Sequence, residues 1–274
     1  MMQLQTTVNI PRPMFGIRPT DRLLFVGSCF ANNIGQQFKE NMFQTIVNPY
    51  GVMYNPASIL HTVERSIKDA IIDDEGVDIA VFTLGTNHVY ILNQTGEIVD
   101  NCQKRPQKLF TERELSVEEC YHFLLDAMHK LWEIKHDTKF ILTVSPIRYA
   151  KYGFHGSQLS KATLLLAADR LTGDTLDIQS EYFPAYEIMN DELRDYRFYQ
   201  PDMLHPSQQA VDYIFEKFIE TYFTKEALQF IEEWKPIKQA LQHRPFNPES
   251  EEYKTFISGV KEKEKAFIDK WLCK

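Results

Sequence analysis

The sequence passes from a strand pattern to a helix pattern within one short stretch, Leu23-Leu24-Phe25-Val26-Gly27-Ser28-Cys29-Phe30-Ala31. Its first four residues are all apolar, which is typical of a strand buried on both faces of a parallel sheet. From Ala31 to Met42, apolar residues recur every three or four positions, which predicts an amphipathic helix. We therefore predict a buried strand, a turn at Gly27 and a helix that packs on the sheet.

The same alternation of strand and helix recurs as far as about residue 225. Short apolar runs predict further strands at 45–47, 79–84, 140–144 and 175–178, and apolar residues at helical spacing predict helices at 56–70, 117–132, 160–171 and 207–223. Strands separated by helices are typical of a mostly parallel sheet with helices on both faces. The predicted fold class is therefore α/β, a three-layer α/β/α sandwich with a mostly parallel central sheet, formed by residues 1–225.

One segment interrupts this alternation. Residues 88–92 and 97–99 flank Asn93-Gln94-Thr95-Gly96, which predicts a β-hairpin with a four-residue loop. We predict that residues 88–113 are an insertion that forms a lid and sets specificity. Asn101 and Lys104 follow the hairpin, where they line a pocket rim or belong to a solvated loop.

The character of the chain changes after residue 225, and residues 226–274 are predicted to be a C-terminal helical extension. Charged residues become more frequent, Pro236 is expected to interrupt one helix, and Asn247 is expected to be the N-cap of the last helix. The last helix has an apolar stripe that needs a partner surface. We expect the stripe to pack on the rest of the chain, with a homodimer through the C-terminal helix as the alternative.

Composition excludes several classes of protein. The 274 residues have a formal net charge of −8, and no basic stripe is visible, which argues against a nucleic-acid partner. No apolar run is long enough for a membrane span, and the N-terminal residues do not resemble a secretory signal. The cysteines Cys29, Cys102, Cys120 and Cys273 are scattered, which fits a cytoplasmic protein without disulfides. No metal-ligand spacing is present, and no cofactor is expected.

The residues that follow the predicted strands include groups suited to nucleophilic catalysis. Ligand sites of open parallel sheets lie at the carboxyl ends of the strands. A thiol or hydroxyl needs a base to take its proton, and a carboxylate that accepts the other ring N–H of the base holds it in the required tautomer. The segments that supply such groups are Gly27-Ser28-Cys29, Gly85-Thr86-Asn87, Ser145-Pro146-Ile147-Arg148 and Asp202-Met203-Leu204-His205.

Gly27-Ser28-Cys29-Phe30-Ala31 is the signature of the GSCFA family, which resembles a branch of the SGNH (GDSL-like) hydrolase superfamily. Stretches around Leu84, Asn101, Ser145, His155 and Asp202 are similar to that family as well, so the resemblance covers about residues 20–225. It implies that His205 is the catalytic base and that Asp202 orients it. It also implies an oxyanion hole made of the Gly51 N–H, the Asn87 side chain and the N–H of the nucleophile, although His88 stands where an Asp usually follows.

The nucleophile is Cys29 or Ser28. Alignment of the glycines places Cys29 in the nucleophile's position, whereas the alternative alignment places Ser28 there. A thiol at a helix N-terminus beside a histidine is readily activated, which favours Cys29. A degenerate site that only binds is the third alternative.

Two further residues are candidates for substrate binding. Arg148 follows a predicted strand and could hold a carboxylate or phosphate, or instead pair with Asp169. His155 is expected in a loop near the site. Ser160 and Lys161 are interpreted as the start of a helix.

The predicted function is an acyl-ester hydrolase or acyltransferase that acts through a covalent acyl-enzyme. By analogy with the superfamily, the substrate is a small acyl ester such as an O-acylated carbohydrate. The alternative function is a catalytically silent binding protein that uses the same cleft. A nucleotide-binding protein is disfavoured because the first turn lacks the G-x-G-x-x-G pattern.

Overall fold

The computed structural model describes residues 6–174 and 178–272. In chain order, its strands are β1 (Leu23–Gly27), β2 (Thr45–Val47), β3 (Ile79–Leu84), β4 (His88–Leu92), β5 (Ile98–Val99), β6 (Phe110–Glu114), β7 (Lys139–Val144) and β8 (Ser180–Tyr182). Its α-helices are α1 (Cys29–Glu40), α2 (Pro56–Lys68), α3 (Val117–Ile134), α4 (Gly153–Asp174), α5 (Ala185–Glu187), α6 (Gln208–Tyr222), α7 (Lys225–Leu241) and α8 (Glu251–Trp271). A π-helical turn, Ile188–Leu193, follows α5.

Five strands form a parallel sheet in the order β2-β1-β3-β7-β8. Side chains of β1 alternate between two hydrophobic clusters. Leu23 and Phe25 pack with α1, α6 and α7, whereas Leu24 and Val26 pack with α2, α3 and α4. Both faces of the sheet are therefore covered by helices, and the predicted three-layer α/β/α fold is confirmed.

The predicted hairpin is part of a separate antiparallel sheet. β4 pairs with β5, as expected, but it also pairs along its whole length with β6, from His88↔Glu114 to Leu92↔Phe110. The strand β6 was not predicted, because four of its five side chains are exposed and it has no alternating apolar pattern.

Helix α4 begins earlier than the predicted 160–171. Gly153 has a φ of 66° and begins the helix, so His155 lies in its first turn rather than in a loop. The expectation that Ser160 and Lys161 start a helix is also wrong, because both are buried within α4. The strand predicted at 175–178 lies, except for Ile178, outside the described residues; the edge strand of the sheet is β8.

The C-terminal helices differ from the predictions at two points. α7 continues through Pro236, because the helix is anchored by the buried side chains of Phe230, Trp234 and Ile237 and tolerates one missing N–H donor. The N-cap of α8 is Ser250, whose Oγ accepts a hydrogen bond from the Tyr253 N–H (3.2 Å).

The apolar stripe of α8 packs on α7. The Phe267 ring lies 4.8 Å from the Phe230 ring and 5.1 Å from the Trp234 ring, and the Trp271 indole N–H donates to Glu233 (2.9 Å). The expected packing of this helix on its own chain is therefore present, and the homodimer stays a prediction. Within residues 6–174 and 178–272, no helix combines the length and apolar character required to cross a membrane.

Candidate active site

The turn after β1 requires glycine. Gly27 has a φ of 139°, and a Cβ at this position would lie 2.1 Å from the carbonyl oxygen of Thr83 on the neighbouring strand. The Gly27 N–H donates to Asn48 Oδ1 (2.8 Å), and its carbonyl accepts from the Met53 N–H (2.8 Å). The turn is therefore held between β3 and the loop that follows β2.

Ser28 caps helix α1. It is fully buried, and its Oγ is hydrogen-bonded to Thr83 Oγ1 (3.0 Å) while it accepts from the Phe30 N–H (3.2 Å). Its backbone N–H donates to the Thr83 carbonyl (3.0 Å). The hydroxyl is thus directed into the protein, where it is hydrogen-bonded to Thr83 and to the Phe30 N–H.

Cys29 is the first residue of α1 and is partly exposed. Its Sγ lies 3.7 Å from Tyr54 Oη. The N–H groups of the first helical turn have no partner within the helix, and the helix dipole favours negative charge at this end. Cys29 is therefore placed where an oxyanion formed on a bound substrate would be electrostatically favoured.

Asp202 and His205 form a hydrogen-bonded pair in one short loop. Asp202 Oδ2 lies 2.6 Å from His205 Nδ1, and Asp202 Oδ1 accepts from the N–H groups of Leu204 (2.8 Å) and His205 (3.0 Å). The hydrogen bond from the His205 N–H is the largest of the effects that lower the pKa of Asp202 to about 2. The carboxylate therefore stays charged near neutral pH and favours the His205 tautomer that carries its proton on Nδ1.

The Asp202–His205 loop is attached to the segment that leaves β7. The Arg148 N–H donates to the Leu204 carbonyl (3.0 Å), and Arg148 Nη1 donates to the Met203 carbonyl (3.1 Å). The next residue, Tyr149, packs edge-on against Tyr54 with 5.9 Å between ring centroids. Because Tyr54 also contacts Cys29, these contacts connect the loop to the turn at the carboxyl end of the sheet.

The two predicted oxyanion donors take part in local hydrogen bonds. The Gly51 N–H donates to the Asn48 carbonyl (2.8 Å) in an exposed turn. Asn87 is buried, and its Nδ2 donates to the Leu115 carbonyl (2.7 Å). The oxyanion role of both residues stays a prediction.

The two predicted substrate-binding residues lie at the surface near this edge. The Arg148 guanidinium lies 4.0 Å from the Phe154 ring centroid, and among the described residues it has no carboxylate within ion-pair distance, so it does not pair with Asp169. His155 is exposed on α4. Arg148 also lines a cavity of about 280 Å³ together with Gln158, Met189, Asn190, Arg194, Asp195, Tyr196 and Tyr199.

Sequence reasoning missed the burial of Lys161. Its Nζ donates to the carbonyls of Gly85 (2.7 Å) and Ser145 (2.8 Å), at the ends of β3 and β7. Burial lowers the pKa of this lysine to about 7. The signal was its helical spacing from the buried Leu164 and Ala168, which places it on the inner face of α4.

The antiparallel sheet is attached beside this edge. Lys151 Nζ donates to both Glu112 carboxylate oxygens (2.8 and 2.9 Å) and to Tyr90 Oη, and the His88 ring stacks on Tyr152 at 3.5 Å. Burial lowers the pKa of His88. The lid function of this insertion stays a prediction.

A cysteine at a strand-to-helix turn and an Asp–His pair, both at the carboxyl edge of a parallel sheet, define an α/β protein equipped with groups for nucleophilic chemistry. The model of the GSCFA family matches residues 22–78 and 73–218, and that of the GSCFA domain protein, C-terminal domain, matches residues 234–271. The chain belongs to the GSCFA family.

Several solved structures are similar to this chain at low sequence identity. A GDSL-like lipase from Bacteroides thetaiotaomicron is 15% identical, with 77% of this chain and 88% of that chain covered and a TM-score of 0.45. A proposed acylhydrolase from Bacteroides fragilis is 14% identical (81% and 91% covered, TM-score 0.47), and a family 3 carbohydrate esterase from Talaromyces cellulolyticus is 9% identical (78% and 99% covered, TM-score 0.43). No curated protein matches the sequence.

Proposed function

We propose that this protein is an acyl-ester hydrolase of the SGNH type in which Cys29 is the nucleophile. The observation that carries the proposal is the contrast between the two candidate nucleophiles. Cys29 Sγ is partly exposed at a helix N-terminus, whereas Ser28 Oγ is buried and hydrogen-bonded to Thr83 and to the Phe30 N–H. The second support is the Asp202–His205 hydrogen bond, which leaves His205 Nε2 as the proton acceptor.

The proposed reaction has two steps. His205 Nε2 takes the thiol proton while Cys29 Sγ attacks the carbonyl carbon of the ester. The tetrahedral intermediate then breaks its C–O bond to the leaving group, and His205 returns the proton to the leaving alkoxide, which departs as an alcohol. The acyl group remains on Cys29 as a thioester, and Asp202 stabilises the imidazolium that forms during the transfer.

In the second step an acceptor removes the acyl group. His205 takes a proton from water, the resulting hydroxide attacks the thioester carbonyl, and the carboxylic acid leaves as the thiol is regenerated. A hydroxyl group of another molecule would react in the same way as water. Acyl transfer to such an acceptor is therefore the alternative to hydrolysis.

We further propose an O-acylated carbohydrate as the acyl donor. The cavity beside Arg148 supports this choice, because amide, carboxylate, guanidinium and phenol groups line it and match the hydroxyl groups of a sugar. Arg148 lines this cavity and also bonds to the loop that holds His205, which connects the cavity to the proposed base.

Hydrolysis of p-nitrophenyl acetate tests the proposed function. We expect turnover by the wild-type protein, loss of turnover in Cys29→Ala and His205→Ala, and retained turnover in Ser28→Ala. Labelling by iodoacetamide, located by peptide mass spectrometry, should occur at Cys29, with Cys102→Ala as the matched control because Cys102 is also partly exposed. A wild-type protein that binds acylated sugars but turns over neither them nor the ester would instead support the silent binding protein.

A further inference from the structure

The hydroxyl of Tyr149 is a buried hydrogen-bond donor without a partner. Among residues 6–174 and 178–272, no group forms a hydrogen bond with Tyr149 Oη. The residue itself is held in place, since its backbone N–H donates to Ser157 Oγ (3.2 Å) and its ring packs against Tyr54 and Tyr152. A buried phenol left without a partner costs free energy, which points to a ligand that it contacts.

This hydroxyl lies at the end of β3, beside the turn that carries Cys29. A Cβ built on Gly85, the residue after β3, would lie 2.9 Å from Tyr149 Oη and 2.8 Å from the Tyr54 carbonyl oxygen. The same Tyr54 contacts Cys29 Sγ through its hydroxyl (3.7 Å). Gly85 therefore allows Tyr149 Oη to approach the backbone at the edge of the sheet where the acyl group would be attacked.

The neighbouring donors are engaged elsewhere. The N–H groups of Gly85 and Thr86 both donate to the Tyr54 carbonyl (2.9 and 2.8 Å). Asn87 Nδ2 donates to Leu115, and the Gly51 N–H donates to Asn48. A tetrahedral oxyanion formed at Cys29 would therefore be stabilised further by a donor that is not already engaged.

We propose that Tyr149 is a catalytic residue whose hydroxyl donates a hydrogen bond to the oxyanion formed during attack by Cys29, together with the Cys29 N–H. This inference rests on the proposed function and adds to it a donor that the SGNH resemblance does not imply. Burial raises the pKa of the Tyr149 phenol above its ordinary value. The phenol therefore keeps its proton and can donate it in a hydrogen bond.

Lys161 joins the ends of β3 and β7, next to the Tyr149 ring. Its Nζ joins the carbonyls of Gly85 and Ser145 and lies 5.5 Å from the centre of the Tyr149 ring. The spacing between the end of β3 and the segment that carries Tyr149 is thereby constrained, which is the preorganisation that an oxyanion donor requires.

Tyr149→Phe tests the inference, with Tyr152→Phe as the matched control because Tyr152 is also a phenol and packs on the Tyr149 ring. We expect Tyr149→Phe to lower kcat for p-nitrophenyl acetate by roughly 10²- to 10³-fold, as for removal of one oxyanion donor, and to change KM little. The rate of iodoacetamide labelling of Cys29 should stay within twofold of wild type, because alkylation forms no oxyanion. Tyr152→Phe should keep near wild-type kcat.

The outcomes separate this inference from the proposed function. If Tyr149→Phe retains the wild-type kcat while Cys29→Ala is inactive, the Tyr149 role is overturned and the proposed function stands. If the wild-type protein is inactive, or if Cys29→Ala is as active as the wild type, the proposed function fails and the Tyr149 role fails with it. Near-UV circular dichroism of Tyr149→Phe verifies that the core packing is retained, and a lower kcat together with a slower labelling rate would contradict the inference.

Discussion

The two halves of the candidate site are held by different means. The turn at Gly27 lies inside the core, where the carbonyl of Thr83 and the side chain of Asn48 surround it. The Asp202–His205 loop is partly exposed and is held by its own hydrogen bonds and by those from Arg148. The proposed nucleophile, Cys29, is therefore positioned by the fold itself, whereas the proposed base, His205, is positioned by a small motif at the surface.

The largest expected effect is on catalysis through the surface loop. His205→Ala removes the base, and we expect kcat for p-nitrophenyl acetate to fall by about 10³-fold or more, which corresponds to about 4 kcal/mol in activation free energy. The free energy of unfolding, measured by urea denaturation, should change by less than about 1 kcal/mol, because the His205 side chain is partly exposed. A large loss of stability in this variant would contradict the comparison.

A substitution in the turn at Gly27 should reduce the stability of the protein, in contrast to a substitution of His205. Gly27→Ala forces a Cβ against the Thr83 carbonyl at a φ of 139°, and we expect the free energy of unfolding to fall by about 3 kcal/mol or more. Gly96→Ala is the matched control, since Gly96 also has a positive φ (74°) but nothing lies within 4 Å of an added Cβ, so its loss should be about 1 kcal/mol. Equal losses in urea denaturation of the two variants would show that the turn is not sterically constrained.

Asp202→Asn tests what the carboxylate in the loop contributes to activity and to stability. The amide cannot hold His205 in the same tautomer or stabilise the imidazolium, but solvent partly compensates at this exposed position, so we expect kcat to fall roughly 10- to 100-fold. Because the folded-state pKa of Asp202 is about 2, below the unfolded value, its contribution to stability is present above the unfolded pKa and is lost as the pH falls towards 2. The stability difference between wild type and variant in denaturant titrations should therefore be seen at pH 6 and shrink as the pH approaches 2; a difference independent of pH would refute this linkage.

The smallest effect concerns Ser28. Ser28→Ala removes the N-cap of α1 and the hydrogen bond to Thr83, and we expect the free energy of unfolding to fall by about 1–2 kcal/mol. Turnover should stay within tenfold of wild type if the serine is only a cap. Complete loss of turnover at full folding would assign the nucleophile to Ser28.

The main sheet and the Asp202–His205 pair follow from local sequence signals. Uninterrupted apolar runs mark β1, β3 and β7 because these strands are buried on both faces. The Asp202–His205 hydrogen bond spans only three residues, so its spacing was visible in the sequence.

Other features depend on contacts between distant residues. The start of α4 contains Gly153 and Gly156, which argue against a helix, and Lys161 is charged, which argues against burial. The hydrogen bond from Asn87 to Leu115 joins residues 28 positions apart, and the position of Tyr149 Oη beside Gly85 depends on how β3 and β7 pair. Apart from the helical spacing of Lys161, no local pattern encodes these features.

Trapping of the acyl-enzyme shows which residue carries the acyl group. The protein is mixed with excess p-nitrophenyl acetate, quenched in acid within the first turnovers and digested, and the acylated residue is located by fragmentation of the peptide that contains Ser28 and Cys29. We expect one acetyl group on Cys29 that hydroxylamine removes and that is absent from Cys29→Ala. An acetyl group on Ser28, or turnover by Cys29→Ala at the wild-type rate, would contradict it.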